Sequence, residues 1–263
     1  MIGSFGAYLY LFLLAAAASG GGPDPLETAI RRFDEGYRTW DLARMRESAS
    51  LLAPLCGTDS GDYETNYWLG AVRFHILLHR LGDTANPPDR TEKLRLVDEA
   101  VSPLEEAVRL KRDDSEARAL LATLLGMRIA SDPASALWRG RDVMEHRRLA
   151  LENGPENPRA HYLAGSAYYH MPALLGRKDK GLEFFLKAKD LFEKERGTAR
   201  PYREPSWGYA SCLTFIGRIH AGMGKTDDAR AEFQRALELN PKDKLANECL
   251  SKLNGAGPDN AKR

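Results

Sequence analysis

His75 and His79 stand four residues apart, so on a helix they share one face. Two imidazoles so placed can hold zinc. No Glu follows His75, so the HExxH arrangement of metalloproteases is absent. A third ligand would have to come from elsewhere, with His170 and Asp98 as the candidates, and two ordinary buried or surface histidines are the competing reading. Gly224-Lys225-Thr226 imitates the end of a phosphate-binding loop, but that motif needs a glycine where Ile219 sits and a strand before it. Arg139-Gly140-Arg141 and His146-Arg147-Arg148 are interspersed with Asp142 and Glu145, which reads as a solvated helix face rather than a nucleic-acid patch. Cys56, Cys212 and Cys249 form no CxxC pair. They read as small buried apolar residues, with a Cys212–Cys249 bridge as the alternative. No Ser/His/Asp, Cys/His or paired-carboxylate constellation assembles by motif. These residues give no warrant for an enzyme, a cofactor or a resident metal.

The bulk properties agree with a binding role. The chain has 263 residues and a net charge of +1, so nothing global points to nucleic acid or to an anionic membrane. Alanine, leucine, glutamate and arginine are abundant and β-branched residues scarce, which favours helix. The expected class is all-α.

Residues 1–22 stand apart and read as a signal peptide. Ala7 to Ala18 is an uncharged apolar run of about twelve residues followed by Ser19-Gly20-Gly21-Gly22. That is too short to span a hydrocarbon core of about 30 Å. It matches a signal-peptide core, with Ala16-Ala17-Ala18 as the small-residue cleavage site. No Lys or Arg precedes it, so the usual basic n-region is missing; an uncleaved anchor or a different start codon is the alternative. The expectation is a periplasmic or secreted protein with no membrane span in the mature chain.

From residue 23 the helical pattern begins. Asp24-Pro25-Leu26-Glu27 reads as an N-cap, a proline in the first turn and a capping-box glutamate. The run from Asp41 to Leu55 is its partner helix. Further pairs follow around Leu69-Gly70 with Ala100, Leu104 and Ala107, and around Leu121, Ala122 and Leu125 with Val143 and Ala150. Asn157-Pro158 opens another pair, through Ala164, Gly165 and Tyr168, then Gly181, Phe185 and Ala188. The polar loop Gly82 to Arg90, the Asp132-Pro133 segment and the connection Met171 to Asp179 are insertions at the turns. The last pair is the most regular, with Leu213, Ile216, Gly217, Ala229, Phe233, Ala236 and Pro241 at helical spacing. A closing helix at 244–253 covers the exposed edge, and residues 255–263 form a disordered tail.

The spacing over 210–243 resembles the tetratricopeptide repeat (TPR), a helix-turn-helix unit of about 34 residues. Residues 205–254 resemble that superfamily strongly and 63–196 moderately; with the N-terminal segment, the chain is similar to bacterial secreted or periplasmic TPR proteins. The resemblance implies an α-solenoid of about five helix pairs with a C-terminal capping helix, covering residues 23–254, that binds a peptide or protein partner in its concave groove. On the repeat pattern, Tyr67, Ala71 and Phe74 face that groove from the second pair, and Ala119, Thr123 and Gly126 from the third. Tyr162, Ser166 and Tyr169 do so from the fourth. Two aromatic walls would then flank a shallow floor, favouring peptide capture, and Arg159 and Arg218 would supply a charge-assisted bond to a carboxylate. The Lys/Asn set of the chaperone-tail clamp is absent: its positions read Arg159, Tyr162, Leu163 and Ser166, then Ser211, Thr214, Phe215 and Arg218. The competing reading is that the insertions cover this face and the tyrosines are ordinary core. The alternative function is a periplasmic accessory protein binding a small ligand or metal, for example beside a transport system. The irregular first pair leaves room for self-association.

Overall fold

The computed structural model describes residues 24–56, 62–171, 177–198 and 201–255. The expected signal segment and nearly all of the expected tail lie outside them. The described residues form eleven α-helices and no strand. The first pair is α1 (Pro25–Thr39) and α2 (Leu42–Leu52), the latter prolonged by a short 3-10 turn, Ala53–Leu55. The second is α3 (Tyr63–Leu81) and α4 (Arg90–Leu110); the third is α5 (Ser115–Ser131) and α6 (Ala136–Asn153). The fourth is α7 (Pro158–His170) and α8 (Lys178–Arg196), and the fifth α9 (Tyr209–Gly222) and α10 (Thr226–Leu239). The closing helix is α11 (Lys244–Gly255).

Most of the early helices are started by a side chain that satisfies the free N–H groups of a helix end. Asp24 Oδ1 accepts from the Leu26 amide at 3.0 Å, and Asn157 Oδ1 from the Arg159 amide at 2.9 Å. Glu27 does not complete a capping box; it receives the Arg31 guanidinium at 2.9 Å instead. Asp41, Asp62, Asp89 and Asp114 cap α2 to α5 in the same way as Asp24.

Small residues then let the two helices of a pair approach. A Cβ on Gly217 would lie 2.6 Å from Phe233 Cε1, so that crossing of α9 and α10 requires glycine. The first helices α1, α3, α5 and α7 pack successively against one another and form an inner layer; the second helices pack outside it. Phe33, Trp68, Leu104, Leu120, Phe185 and Phe233 fill the core between pairs. The insertion at 82–90 is tied down by Arg80, which reaches Asp83 at 2.9 Å, Glu92 at 3.0 Å and the Asn86 carbonyl at 3.3 Å. Most of the Met171 to Asp179 insertion lies outside the described residues. The three cysteines are free, and the Cys212 thiol donates to the Phe185 carbonyl at 3.3 Å.

The array does not stay open. Asn240, at the end of α10, donates to the Tyr37 carbonyl at 3.4 Å, and Lys244 to the Gly82 carbonyl at 2.8 Å. The last repeat is therefore tied back to the first two pairs.

Candidate binding site on the concave face

The connection between α8 and α9 crosses the inner layer. Trp207 is fully buried there, and its indole N–H donates to the Tyr67 hydroxyl at 3.3 Å. That hydroxyl in turn donates to Glu116. The Trp68 indole donates to the Arg203 carbonyl at 3.2 Å, so a backbone acceptor of the connection is satisfied by an inner helix. Arg203 forks onto Asp24 at 2.6 Å and Glu64 at 2.5 Å, the Tyr202 hydroxyl donates to Asp24 at 3.0 Å, and the Ser206 hydroxyl to Asp34 at 3.2 Å. Gly208 ends the segment with φ of 105° and its amide donates to the Tyr37 hydroxyl at 3.1 Å. A Cβ there would press on Phe192 at 3.0 Å, with Arg159 and Tyr162 just beyond. The positive φ and the tight fit both demand glycine. Residues 202–208 thus act as a strap laid along the inner face, held as an extended peptide would be held.

Arg159 is the polar anchor beneath the strap. It is 2% exposed, bonds Glu116 at 2.8 Å, forks onto Glu195 at 2.9 and 2.6 Å, and reaches the Trp207 carbonyl at 3.3 Å. Burial alone would lower the pKa of its guanidinium; the attraction of Glu116 and the bonds from Glu195 outweigh that and raise it. The charge is permanent and fully committed within the chain.

His75 lies in the same layer with the rings of Phe33, Tyr37, Phe74 and Trp207 at 5.0 to 5.3 Å, and neither ring nitrogen has a hydrogen-bond partner. Burial lowers its pKa from 6.5 to about 3. The folded state therefore holds His75 neutral, while the unfolded chain protonates it below about pH 6.5. Its contribution is fully present above that pH and is lost as the pH falls from about 6.5 towards 3. His75→Met is expected to flatten the pH dependence of unfolding free energy between about pH 4 and 6.5, read by urea titration at several pH values. His79 stacks on Trp40 at 5.1 Å and His170 lies against Phe215, so the three histidines do not converge. Among the described residues no group of three or more metal-binding side chains comes together.

The eight residues assigned to the groove by pattern fall into two sets. Tyr67, Phe74, Arg159 and Tyr162 are buried, all beneath or beside the strap, and Tyr162 also packs against the stacked rings of Phe185 and Phe215. Thr123, Ser166, Tyr169 and Arg218 are partly exposed. The strap lies on the first turns of α5 and α7, at Glu116 and Arg159, and on α3 as far as His75, and the second set stands outside these contacts. Thr123 is turned onto its own helix, donating to the Ala119 carbonyl at 2.8 Å. Tyr169 carries Arg218 over its ring at 5.0 Å and Lys178 at 5.6 Å, and packs edge-on against Phe215 at 5.1 Å. Sequence reasoning missed the strap itself and the carboxylates Glu116 and Glu195. The available signal was two aromatic residues, Tyr202 and Trp207, in a connection otherwise made of polar residues, Pro, Gly and one Ala.

The chain matches the family model of a tetratricopeptide repeat over residues 210–243. No curated protein matches it. Among solved structures it is similar to the HusA haemophore from Porphyromonas gingivalis, at 24% identity over 77% of this chain and 96% of that one, with a TM-score of 0.60. It is also similar to TTC0263, a thermophilic TPR protein in Thermus thermophilus, at 19% identity over 86% of this chain and 98% of that one, with a TM-score of 0.57. At such identities the likeness is one of fold. Residues 210–243 therefore match a tetratricopeptide repeat, and the stack of helix pairs around that repeat shares the fold of these TPR structures.

Proposed function

We propose that the protein is an exported TPR scaffold that holds an acidic segment of a partner protein against the uncovered half of its concave face. The observation that carries this is the cluster at Tyr169. Arg218 and Lys178 both stand over its ring, and neither has a carboxylate partner among the described residues. Two cations beside a half-exposed aromatic ring suit a carboxylate with an apolar neighbour. Ser166 stands one turn before Tyr169 on α7 and Thr123 on α5, both partly exposed.

The test is affinity capture from the native envelope with the chain from Pro23, repeated with Tyr169→Ala and Arg218→Gln. A stoichiometric protein retained by the parent and lost at least about tenfold from both variants, with helicity unchanged, is the expected outcome. Equal retention by all three would remove the groove reading. The alternative is a small-ligand accessory, the class to which the neighbouring haemophore belongs by its description. A rise of several degrees in Tm on adding haem or zinc, with no protein retained, would favour it.

A further inference from the structure

A second cleft lies away from the strap, on the outer side of the first two pairs. It has a volume of about 370 Å³ and is formed by α2, α3 and α4. Small-molecule sites run from about 300 to 1,000 Å³, so its size is sufficient. Ile76 and Leu96, both nearly buried, and Ala49 give it an apolar floor. Three guanidinium groups, Arg46, Arg73 and Arg95, line it against a single carboxylate, Glu99. Arg95 is paired with that carboxylate at 2.5 Å. Arg73 reaches only the Glu99 carbonyl, at 2.7 Å, and Arg46 has no carboxylate within salt-bridge distance among the described residues. The cleft beside the strap, about 400 Å³, is built differently: Glu116 and Glu195 are neutralised there by Arg159, and Glu64 by Arg203.

We infer that the outer cleft binds a small amphiphilic carboxylate. Its carboxylate would sit between Arg46 and Arg73, and its apolar part would lie over Ile76 and Leu96. The guanidinium fork matches a carboxylate in two parallel bonds, and the apolar floor supplies the burial that a free inorganic anion could not use. Two sources carry this chemistry, a fatty acid and the free C-terminus of an apolar peptide.

Titration calorimetry of the full chain separates them. The probes are decanoate against decanol, and N-acetyl-Leu-Leu against its C-terminal amide. At least one acid is expected to bind, with its uncharged counterpart about tenfold weaker or worse. Binding of decanoate alone assigns the site to a lipid-type acid, and binding of the dipeptide alone assigns it to a chain end. Arg46→Gln and Arg73→Gln are each expected to weaken the acid by about tenfold, the effect of one lost charge-assisted bond. Arg46 is exposed, so its replacement leaves the fold intact, and Arg218→Gln should leave this affinity unchanged. Failure of both acids to bind, equal binding of the uncharged counterparts, or unchanged affinity in both cleft variants would overturn the assignment.

Discussion

Trp207→Ala is expected to lower the unfolding free energy by about 3–5 kcal/mol, the range for removing a fully buried large aromatic. Trp207 is 0% exposed and packs on His75 and Phe74. Its side chain is the part of the strap that enters the inner layer, so its loss leaves a cavity at the place where the first, second and fourth pairs meet. Trp207→Phe keeps most of the apolar contact and forfeits the indole bond to Tyr67, so its cost should be smaller. Trp138 on α6 is the control. It is 64% exposed, and Trp138→Ala should change stability by no more than about 0.5 kcal/mol. Urea unfolding followed by circular dichroism compares the three. A strap that merely rests on the surface would give Trp207→Ala the small value.

Arg159→Met is the second large effect, at about 3–5 kcal/mol. The substitution removes the cation and leaves the largely buried carboxylates of Glu116 and Glu195 without the guanidinium that neutralises both. The charge left behind, more than the lost contact, sets the cost. Adding Glu116→Gln and Glu195→Gln to the same chain should therefore recover part of the loss, which no purely steric account of Arg159 allows. The triple variant still lacks the bond to the Trp207 carbonyl, so the recovery stops short of the parent. Denaturant midpoints of the single and triple variants decide the point.

The helices were legible because their signals are local. Asp24, Asp41 and Asn157 sit at the starts of α1, α2 and α7 as their types require, and Gly217, Ala229 and Phe233 interlock α9 with α10 at the repeat spacing. The closing helix begins at Lys244 as expected and ends at Gly255, two residues beyond the expected Leu253. The groove was legible only in part. Spacing puts Tyr67, Phe74, Tyr162 and Tyr169 on the inner faces of their helices, but it carries no information on what lies over those faces. The strap is irregular in structure and so has no period to read. Its partners are distant along the chain: Trp68 and Arg203 are 135 residues apart, Tyr67 and Trp207 140. The union of Arg159 with Glu116 and Glu195, across 43 and 36 residues, is equally hidden, because any of the many acidic residues could have met it. Tyr169 and Arg218 stayed accessible because they lie about one to three turns further along their helices than Arg159, Tyr162 and Thr214.

The most direct test of the strap is hydrogen exchange at the tryptophan side chains, followed by NMR. Four indole N–H groups are present, and their environments differ sharply. Trp68 and Trp207 donate to the Arg203 carbonyl and the Tyr67 hydroxyl within the buried layer, while Trp138 projects into solvent. Slow exchange at both Trp68 and Trp207, on the timescale of the helical core amides, with Trp138 exchanging freely, is the result that follows from a strap bound along the inner face. Exchange of Trp207 as fast as that of Trp138 in the folded protein would contradict it and leave the whole concave face open.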